Sequence, residues 1–327
     1  MSKSLFGAAI LVASLALAAG TAHASTFRQQ VAADPNGEVN VSNVAGSIVI
    51  TGWDESAVAV TADLSGDTDR VKLTSSHGRT YVCIAYSNSN SCNSSGVSSG
   101  DGSSVRLEVR VPRNSVLEVS GVSADITSQG VSGAQHLHSV SGDIDAQLGS
   151  GNDDVNSVSG GISLHGSGQD GTLNVATVSG DLHVTNVAGE LEARTVNGTL
   201  TAELAAARLA RLNTTSGDID LNASLASGGT IETETVSGDL TMNVSAPAGY
   251  SYEAKTFSGD IDNCFGQQSD RSQYGPGNRL DGTRGNGGGH LRMQSLSGDI
   301  SLCDHRDQDR HDHRDHHDHH DHDDDND

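Results

Sequence analysis

The hexapeptide SVSGDI at Ser139–Ile144 decides the fold, because near copies of it recur along the chain. It returns as SVSGGI at Ser157–Ile162, TVSGDL at Thr177–Leu182 and Thr235–Leu240, TFSGDI at Thr256–Ile261 and SLSGDI at Ser295–Ile300. Its glycine, or the residue in that place, lies at Ala124, Gly142, Gly160, Gly180, Gly198, Gly217, Gly238, Gly259 and Gly298, at intervals of 18, 18, 20, 18, 19, 21, 21 and 39 residues. A fixed period near 20 residues is typical of proteins that stack repeated units.

Apolar residues flank this glycine at fixed offsets. Two residues after it lie Ile126, Ile144, Ile162, Leu182, Leu200, Ile219, Leu240, Ile261 and Ile300. Two residues before it lie Val122, Val140, Val158, Val178, Val196, Val236, Phe257 and Leu296, and only Thr215 breaks the series. Alternation with period two indicates strands with one buried face. We expect both columns inside, with Val140, Val158, Val178 and Val196 aligned there.

Ser-Gly-Asp then falls where one strand must bend into the next. Glycine accepts positive φ, and Ser and Asp side chains hydrogen-bond nearby backbone groups. Half-period echoes, GVSGAQHL at Gly130–Leu137 and NVAGELEA at Asn186–Ala193, predict two strand-and-corner units in each repeat. The predicted fold is therefore all-β, a single-chain parallel β-solenoid with about 18–21 residues per coil.

Stacked corners would align aspartates in a column. These are Asp125, Asp143, Asp181, Asp218, Asp239, Asp260 and Asp299. Solvated turn residues are the favoured interpretation, and calcium bridging is the alternative because calcium takes six to eight oxygen ligands. Gly161 and Thr199 interrupt the column, and the nonapeptide of calcium-binding β-rolls is absent.

The two ends of the chain differ from the repeats. Residues 1–24 have the features of a signal peptide: Lys3, an apolar run from Leu5 to Ala19, and an A-x-A site at residues 22–24. This predicts an exported chain without a transmembrane anchor, in the periplasm, on the cell surface or secreted. Residues 25–115 alternate as an N-terminal β region, continuous with or capping the solenoid of residues 116–303, and residues 266–289 are predicted to be a glycine-rich loop.

The four cysteines suit an oxidising compartment. Cys83 pairs best with Cys92 and Cys264 with Cys303, because each pair brackets a loop-like segment. A metal site made of all four thiolates is the alternative, but no C-x-x-C spacing favours it.

Residues 304–327 contain 11 Asp and 8 His among 24 residues, and none of them is apolar. Such a segment cannot bury a core, so we expect a disordered tail. Its histidines are candidate ligands for zinc or nickel, and a solvated tail without a selected ligand is the alternative. They are His305, His311, His313, His316, His317, His319, His320 and His322. The net charge of −23 argues against nucleic acid as a partner.

The chain resembles a family of exported bacterial adhesin-like proteins with β-strand repeats, a domain of unknown function. The stretches that carry the resemblance are VNVSNVAGSIVITGW from Val39, VRLEVRVPRNSVLEVSGVSADI from Val105, and the serial VSGDI and VSGDL corners. The resemblance implies an elongated, envelope- or surface-associated β protein with an unknown surface ligand and no catalytic residue. The alternatives are a periplasmic metal-binding protein acting through its tail and, less favoured, a polysaccharide-active enzyme.

Overall fold

The structure, a computed structural model, describes residues 25–64, 70–85, 104–271 and 276–304. All the regular secondary structure in these residues is β-strand, so the all-β prediction is confirmed. No helix there could therefore cross a membrane. The predicted signal peptide and tail residues 305–327 lie outside the described residues, as does Cys92.

The strands are numbered in chain order. They are β1 (Ser25–Ala32), β2 (Glu38–Trp53), β3 (Ala57–Leu64), β4 (Arg70–Ser76), β5 (Arg79–Ala85), β6 (Val105–Pro112), β7 (Val116–Gln129), β8 (Gln135–His138), β9 (Ile144–Gln147), β10 (Asn152–Asn156), β11 (Ile162–His165), β12 (Asp170–Ala176), β13 (Leu182–Asn197), β14 (Leu200–Ser216), β15 (Ile219–Ser237), β16 (Leu240–Ser245), β17 (Gly249–Ser258), β18 (Ile261–Asn263), β19 (Asp270–Arg271), β20 (Asn278–Gly285), β21 (Gly289–Ser297) and β22 (Ile300–Asp304).

Equivalent strands of successive repeats pair in parallel and form two ladders. The first ladder runs in the order β5, β2, β7, β8, β10, β12, β13, β14, β15, β21, β17. The second runs β6, β2, β7, β9, β11, β13, β14, β15, β16, β22, β18. Each repeat thus contributes one strand, or one part of a longer strand, to each ladder, as the half-period echoes predicted.

The long strands join the two ladders, because β7 and β13 each belong to both. As a result β7, β8, β10, β12, β13, β11 and β9 form a closed ring of seven parallel strands. The inward side chains of both ladders share one core. The column two residues after the glycine lies in it, from Ile126 to Ile300, with every member at most 5% exposed.

The column two residues before the glycine is not in the core, and this prediction was wrong. Val140, Val158, Val178 and Val196 are 41–48% exposed, and Val236, Phe257 and Leu296 point outward with them. The inward residues of the first strand are Gln135, Leu137 and Ser139, whereas those of the second are Gly142, Ile144 and Ala146. The bend at the corner shifts the inward parity by one residue, so a single alternation does not run through it.

Two strands near the ends of the described chain, β2 and β22, lie one layer inside the stack. β2 lies between β6 and β7, and β22 lies between β16 and β18. Three of the four outermost parallel strands are covered by antiparallel ones, β4 on β5, β3 on β6 and β20 on β17, and β1 in turn pairs with β3. This covering reduces the backbone edge that could pair with another chain, although β18 at the end of the second ladder pairs only with β22 among the described strands.

Residues 266–289 were expected to be a loop, but their described part contains β19 and β20. β20 pairs antiparallel with β17 through eight residue pairs, from Gly249↔Gly285 to Thr256↔Asn278. Leu280 is its buried apolar residue, and this is too weak a pattern to indicate a strand. The strand forms because its backbone N–H and C=O groups hydrogen-bond those on the exposed edge of β17.

Candidate functional site

Seven corners are held by a hydrogen-bonded Ser or Thr hydroxyl three residues before the glycine. In two corners the glycine N–H donates to this hydroxyl, Gly142 to Ser139 at 2.9 Å and Gly160 to Ser157 at 3.0 Å. In five others the hydroxyl donates to a glycine carbonyl of the neighbouring layer, as Thr256 Oγ1 does to Gly298 at 2.9 Å, whereas the buried Thr214 hydroxyl at the Gly217 corner has no hydrogen-bond partner among the described residues. A buried polar group that is hydrogen-bonded avoids the cost of desolvation. The inward Ser or Thr therefore completes the backbone bonding of the bend.

The corner glycines stack backbone on backbone. A Cβ built at Gly180 would lie 2.2 Å from the carbonyl oxygen of Gly160, and one at Gly298 would lie 2.0 Å from that of Gly238. The expected positive φ is found at four of the corners, with values from 149° to 154° at Gly198, Gly238, Gly259 and Gly298. The close approach of the backbones of adjacent layers explains glycine throughout the column, since no side chain fits between the layers.

The corner aspartates form a column that joins one layer to the next. Six of the seven carboxylates accept a hydrogen bond from the backbone N–H of the equivalent residue in the adjacent layer, and the seventh, Asp260, accepts from the side chain of Asn278. The donors and acceptors are Asp143 to Asp125 at 3.1 Å, Gly161 to Asp143 at 2.8 Å, Thr199 to Asp181 at 2.8 Å, Asp239 to Asp218 at 2.9 Å, Asp299 to Asp239 at 2.8 Å and Asp260 to Asp299 at 2.8 Å. The aspartates therefore bond one layer to the next, whereas the sequence pattern predicted only hydrogen bonds within each turn.

Metal binding by this column stays a prediction. One oxygen of each bonded carboxylate already accepts from the backbone, and Gly161 and Thr199 interrupt the series. Among residues 25–64, 70–85, 104–271 and 276–304, no group of three or more His, Cys, Asp or Glu side chains is arranged to hold a metal ion. The eight tail histidines lie outside these ranges.

The outward apolar residues form a continuous line, which we call the apolar ridge. Backbone hydrogen bonds and strand register place its members in adjacent layers. Their spatial order is Val140, Val158, Val178, Val196, Thr215, Val236, Leu296, Phe257. Soluble proteins expose single apolar residues freely, but an aligned series of seven, each 41–53% exposed, is typical of an interaction surface.

A buried polar network interrupts the core near the N-terminal end of the repeats. The carboxylate of Asp153, which is 4% exposed, accepts from the backbone N–H of Gln135 at 2.8 Å. The Gln135 side chain accepts from Ser128 Oγ at 2.7 Å and donates to the carbonyl of Gln147 at 2.8 Å. Burial raises the pKa of Asp153 to about 6, while the Gln135 hydrogen bond and nearby His136 act in the opposite direction. No sequence pattern singled out this carboxylate.

The predicted disulfide between Cys264 and Cys303 is present and joins the end of β22 to the residue after β18. The predicted Cys83–Cys92 pair involves a residue outside the described ranges and stays a prediction. Asp304, the first residue assigned to the tail, instead ends β22 and is fully buried, with Arg284 4.0 Å away. Any tail therefore begins at residue 305.

These features define an all-β repeat protein whose corners combine a stacked glycine, an interlayer aspartate and an outward apolar residue. The chain matches the Toastrack DUF4097 family over residues 37–303 and belongs to it. No curated protein matches significantly.

Several solved structures are similar over most of the chain. A putative adhesin from Bacteroides fragilis has 11% identity and a TM-score of 0.37, covering 86% of this chain and 98% of its own. One from Parabacteroides distasonis has 13% identity and a TM-score of 0.32, with the same coverage. A putative cell adhesion protein from Clostridium sporogenes has 10% identity and a TM-score of 0.21, covering 86% and 100%.

Proposed function

We propose that the protein is an exported, non-enzymatic envelope or surface protein. Its two parallel ladders wind as a β-solenoid, and its apolar ridge binds a partner in the cell envelope or on a surface. The observation that carries this proposal is the ridge itself: a Val, Leu or Phe points outward in seven layers where a polar residue would cost nothing. The signal-peptide pattern supports export, and the resemblance to adhesin-like proteins with β-strand repeats implies a surface role.

The ridge is long and narrow, which suits many small contacts. Adjacent layers are about 4.8 Å apart, so the line from Val140 to Phe257 extends over roughly 30 Å. Fully burying a Val side chain stabilises by about 1.5 kcal/mol or more, and each ridge residue still exposes nearly half of its surface. Covering four valines would then contribute about 3 kcal/mol, or roughly a hundredfold in affinity.

Binding of the purified protein to an isolated envelope fraction tests this proposal. The variant replaces Val140, Val158, Val178 and Val196 together by Ser, which keeps the β-strand length and removes the apolar surface. The matched control replaces Thr201, an outward residue of β14, by Ala. We expect binding to fall about a hundredfold in the ridge variant only. Equal binding by all three proteins would contradict the ridge as the contact surface.

Metal binding by the His/Asp-rich tail is a second candidate, supported by its 8 His and 11 Asp. Zinc or nickel would bind several imidazoles without fixed geometry, and protonation below about pH 6.5 would weaken this. Zinc titration of the intact chain and of a chain ending at Asp304, at pH 7.5 and 5.5, tests it. Equal binding by both chains would exclude the tail as the site, and equal binding at both pH values would exclude imidazole as the ligand.

A further inference from the structure

A groove of about 640 Å³ opens where the apolar ridge reaches the C-terminal cap. Its floor contains the last three ridge residues, Val236, Leu296 and Phe257, which are 44%, 52% and 53% exposed. Its wall consists of β19, Pro276, Gly277 and the first residues of β20. Small-molecule sites in proteins usually have volumes of about 300–1,000 Å³, and this groove falls within that range.

The wall is held firmly against the floor. Gly277 has a φ of 124°, and a Cβ there would lie 2.8 Å from the carbonyl oxygen of Thr256 and 3.5 Å from the Cα of Phe257. The neighbouring Asn278 donates from its side chain to the carbonyl of Gly259 at 2.7 Å. A groove built this way needs no rearrangement before a ligand enters, which lowers the cost of binding.

The floor has the shape of a short straight track. Its three side chains follow one another at the interstrand spacing of about 4.8 Å, one residue wide. Thr215, the polar member of the line, ends the track on one side. The wall at Gly277 ends it on the other. An extended alkyl chain fits such a track, whereas a fused ring or a protein surface would contact only part of it.

The rim carries cations in a chain of net charge −23. Lys255, Arg271 and Arg279 line the groove together with the carboxylates Glu234 and Asp270. Lys255 and Arg279 contact a carboxylate outside the groove, at 2.7 Å and 3.0 Å. None of the ion pairs found in the described part of the chain includes Arg271, so its charge is available to an anionic group.

We propose that this groove binds a monomeric long-chain carboxylate. The alkyl chain would lie along Val236, Leu296 and Phe257, and the carboxylate would meet Arg271. This site goes beyond the proposed adhesive function, because it takes a small amphiphile and needs only the C-terminal end of the ridge. Val158, which is equally exposed but four layers from the groove, would have no part in it.

Calorimetric titration of the full chain with octanoate, decanoate and dodecanoate, each below its micelle concentration, tests the proposal. Affinity should rise about fourfold per added methylene, the factor expected for burying one CH₂, until the groove is full. Dodecyltrimethylammonium, with the same alkyl chain and the opposite charge, should bind at least tenfold more weakly than dodecanoate.

Variants then locate the site. Phe257→Ser should weaken dodecanoate binding at least tenfold, and Arg271→Gln should weaken it several-fold and remove the preference over the ammonium. Val158→Ser is the matched control and should leave dodecanoate binding unchanged. If Phe257→Ser lowers the melting temperature, Leu296→Ser serves in its place.

Three results would overturn the proposal: no saturable binding, equal affinity for carboxylate and ammonium, or an equal loss in Val158→Ser. Envelope binding by Arg271→Gln should stay unchanged, so failure of the groove and failure of the ridge remain distinguishable.

Discussion

Replacing Asp153 by Asn should make the protein more stable at neutral pH, although it alters a buried hydrogen-bonded side chain. The carboxylate is almost fully buried, and the amide oxygen of Asn can accept the same bond from the N–H of Gln135. A cavity of about 20 Å³ beside Asp153 gives room for the new amide nitrogen. The substitution therefore removes a buried charge and keeps the shape of the network.

The size of the effect follows from the pKa. Burial raises the pKa of Asp153 from 3.8 to about 6 in the folded protein. Because the folded state holds its proton more tightly, Asp153 contributes its full stability below pH 3.8 and loses it as pH rises through 6. The difference of about 2.2 pKa units, at 1.36 kcal/mol each, gives about 3 kcal/mol. The variant should gain up to this amount at pH 8 and almost nothing near pH 4.

Urea unfolding of both proteins at pH 4.5, 5.5, 6.5 and 8.0, in 0.5 M NaCl, measures this difference. High salt screens the repulsion that a net charge of −23 adds at every pH. Asp145→Asn, which removes one carboxylate from an exposed position of β9, is the control and should shift stability by only a small amount. A variant at Asp153 that is less stable at pH 8, or whose gain does not depend on pH, would refute the reasoning.

Three further predictions concern the corners and the cap. Gly180→Ala should lower the free energy of unfolding by about 1–3 kcal/mol, measured by heat or urea, since its Cβ would lie 2.2 Å from the Gly160 oxygen. Gly161→Ala is the control, because no atom would lie nearer than 3.6 Å to its Cβ, and an equal loss in both variants would contradict the stacking of the corner glycines. Gly161→Asp should supply the missing carboxylate to the N–H of Asp181 and stabilise by about 0.5–1.5 kcal/mol in high salt, so a loss there would count against the aspartate column. Cys303→Ser, which opens a bridge spanning 39 residues, should cost about 3–4 kcal/mol, and an unchanged urea midpoint would contradict this.

The sequence predicted the period, the strands and one core column because these depend on local alternation. Ile144 and its counterparts were placed correctly, since they begin the second strand of each repeat. Val140 and its counterparts were placed on the wrong face because the parity change occurs inside the corner. A signal was present in the sequence: Ser or Thr stands three residues before the glycine in these corners, and a short hydroxyl side chain can point inward and still hydrogen-bond the backbone of the bend.

The candidate surface could not have been predicted while the valines were assigned to the core. Once Ser139 and its counterparts take the inward position, the next residue must point outward, and the ridge follows. The aspartate column was foreseen as a column, but its bonding was not. That bonding depends on the register between layers, which brings the carboxylate of Asp143 to the N–H of Gly161.

The order of the last layers was beyond prediction for a different reason. Near-identical corners allow any repeat to stack on any other, so the pattern does not say that β21 lies between β15 and β17. The outward charges favour this order. Arg292 of β21 lies opposite Glu232 on one side and Glu253 on the other, and it helps Lys255 and Arg279 to hold the pKa of Glu253 below its usual value.

If the layers followed the order of the chain, Glu232 would face Glu253 directly, and like charges opposite each other destabilise a sheet. The observed order also lets β20 cover the last strand and lets Cys303 reach Cys264. A few outward charges, the cap and the disulfide therefore specify what the repeated hexapeptide leaves open.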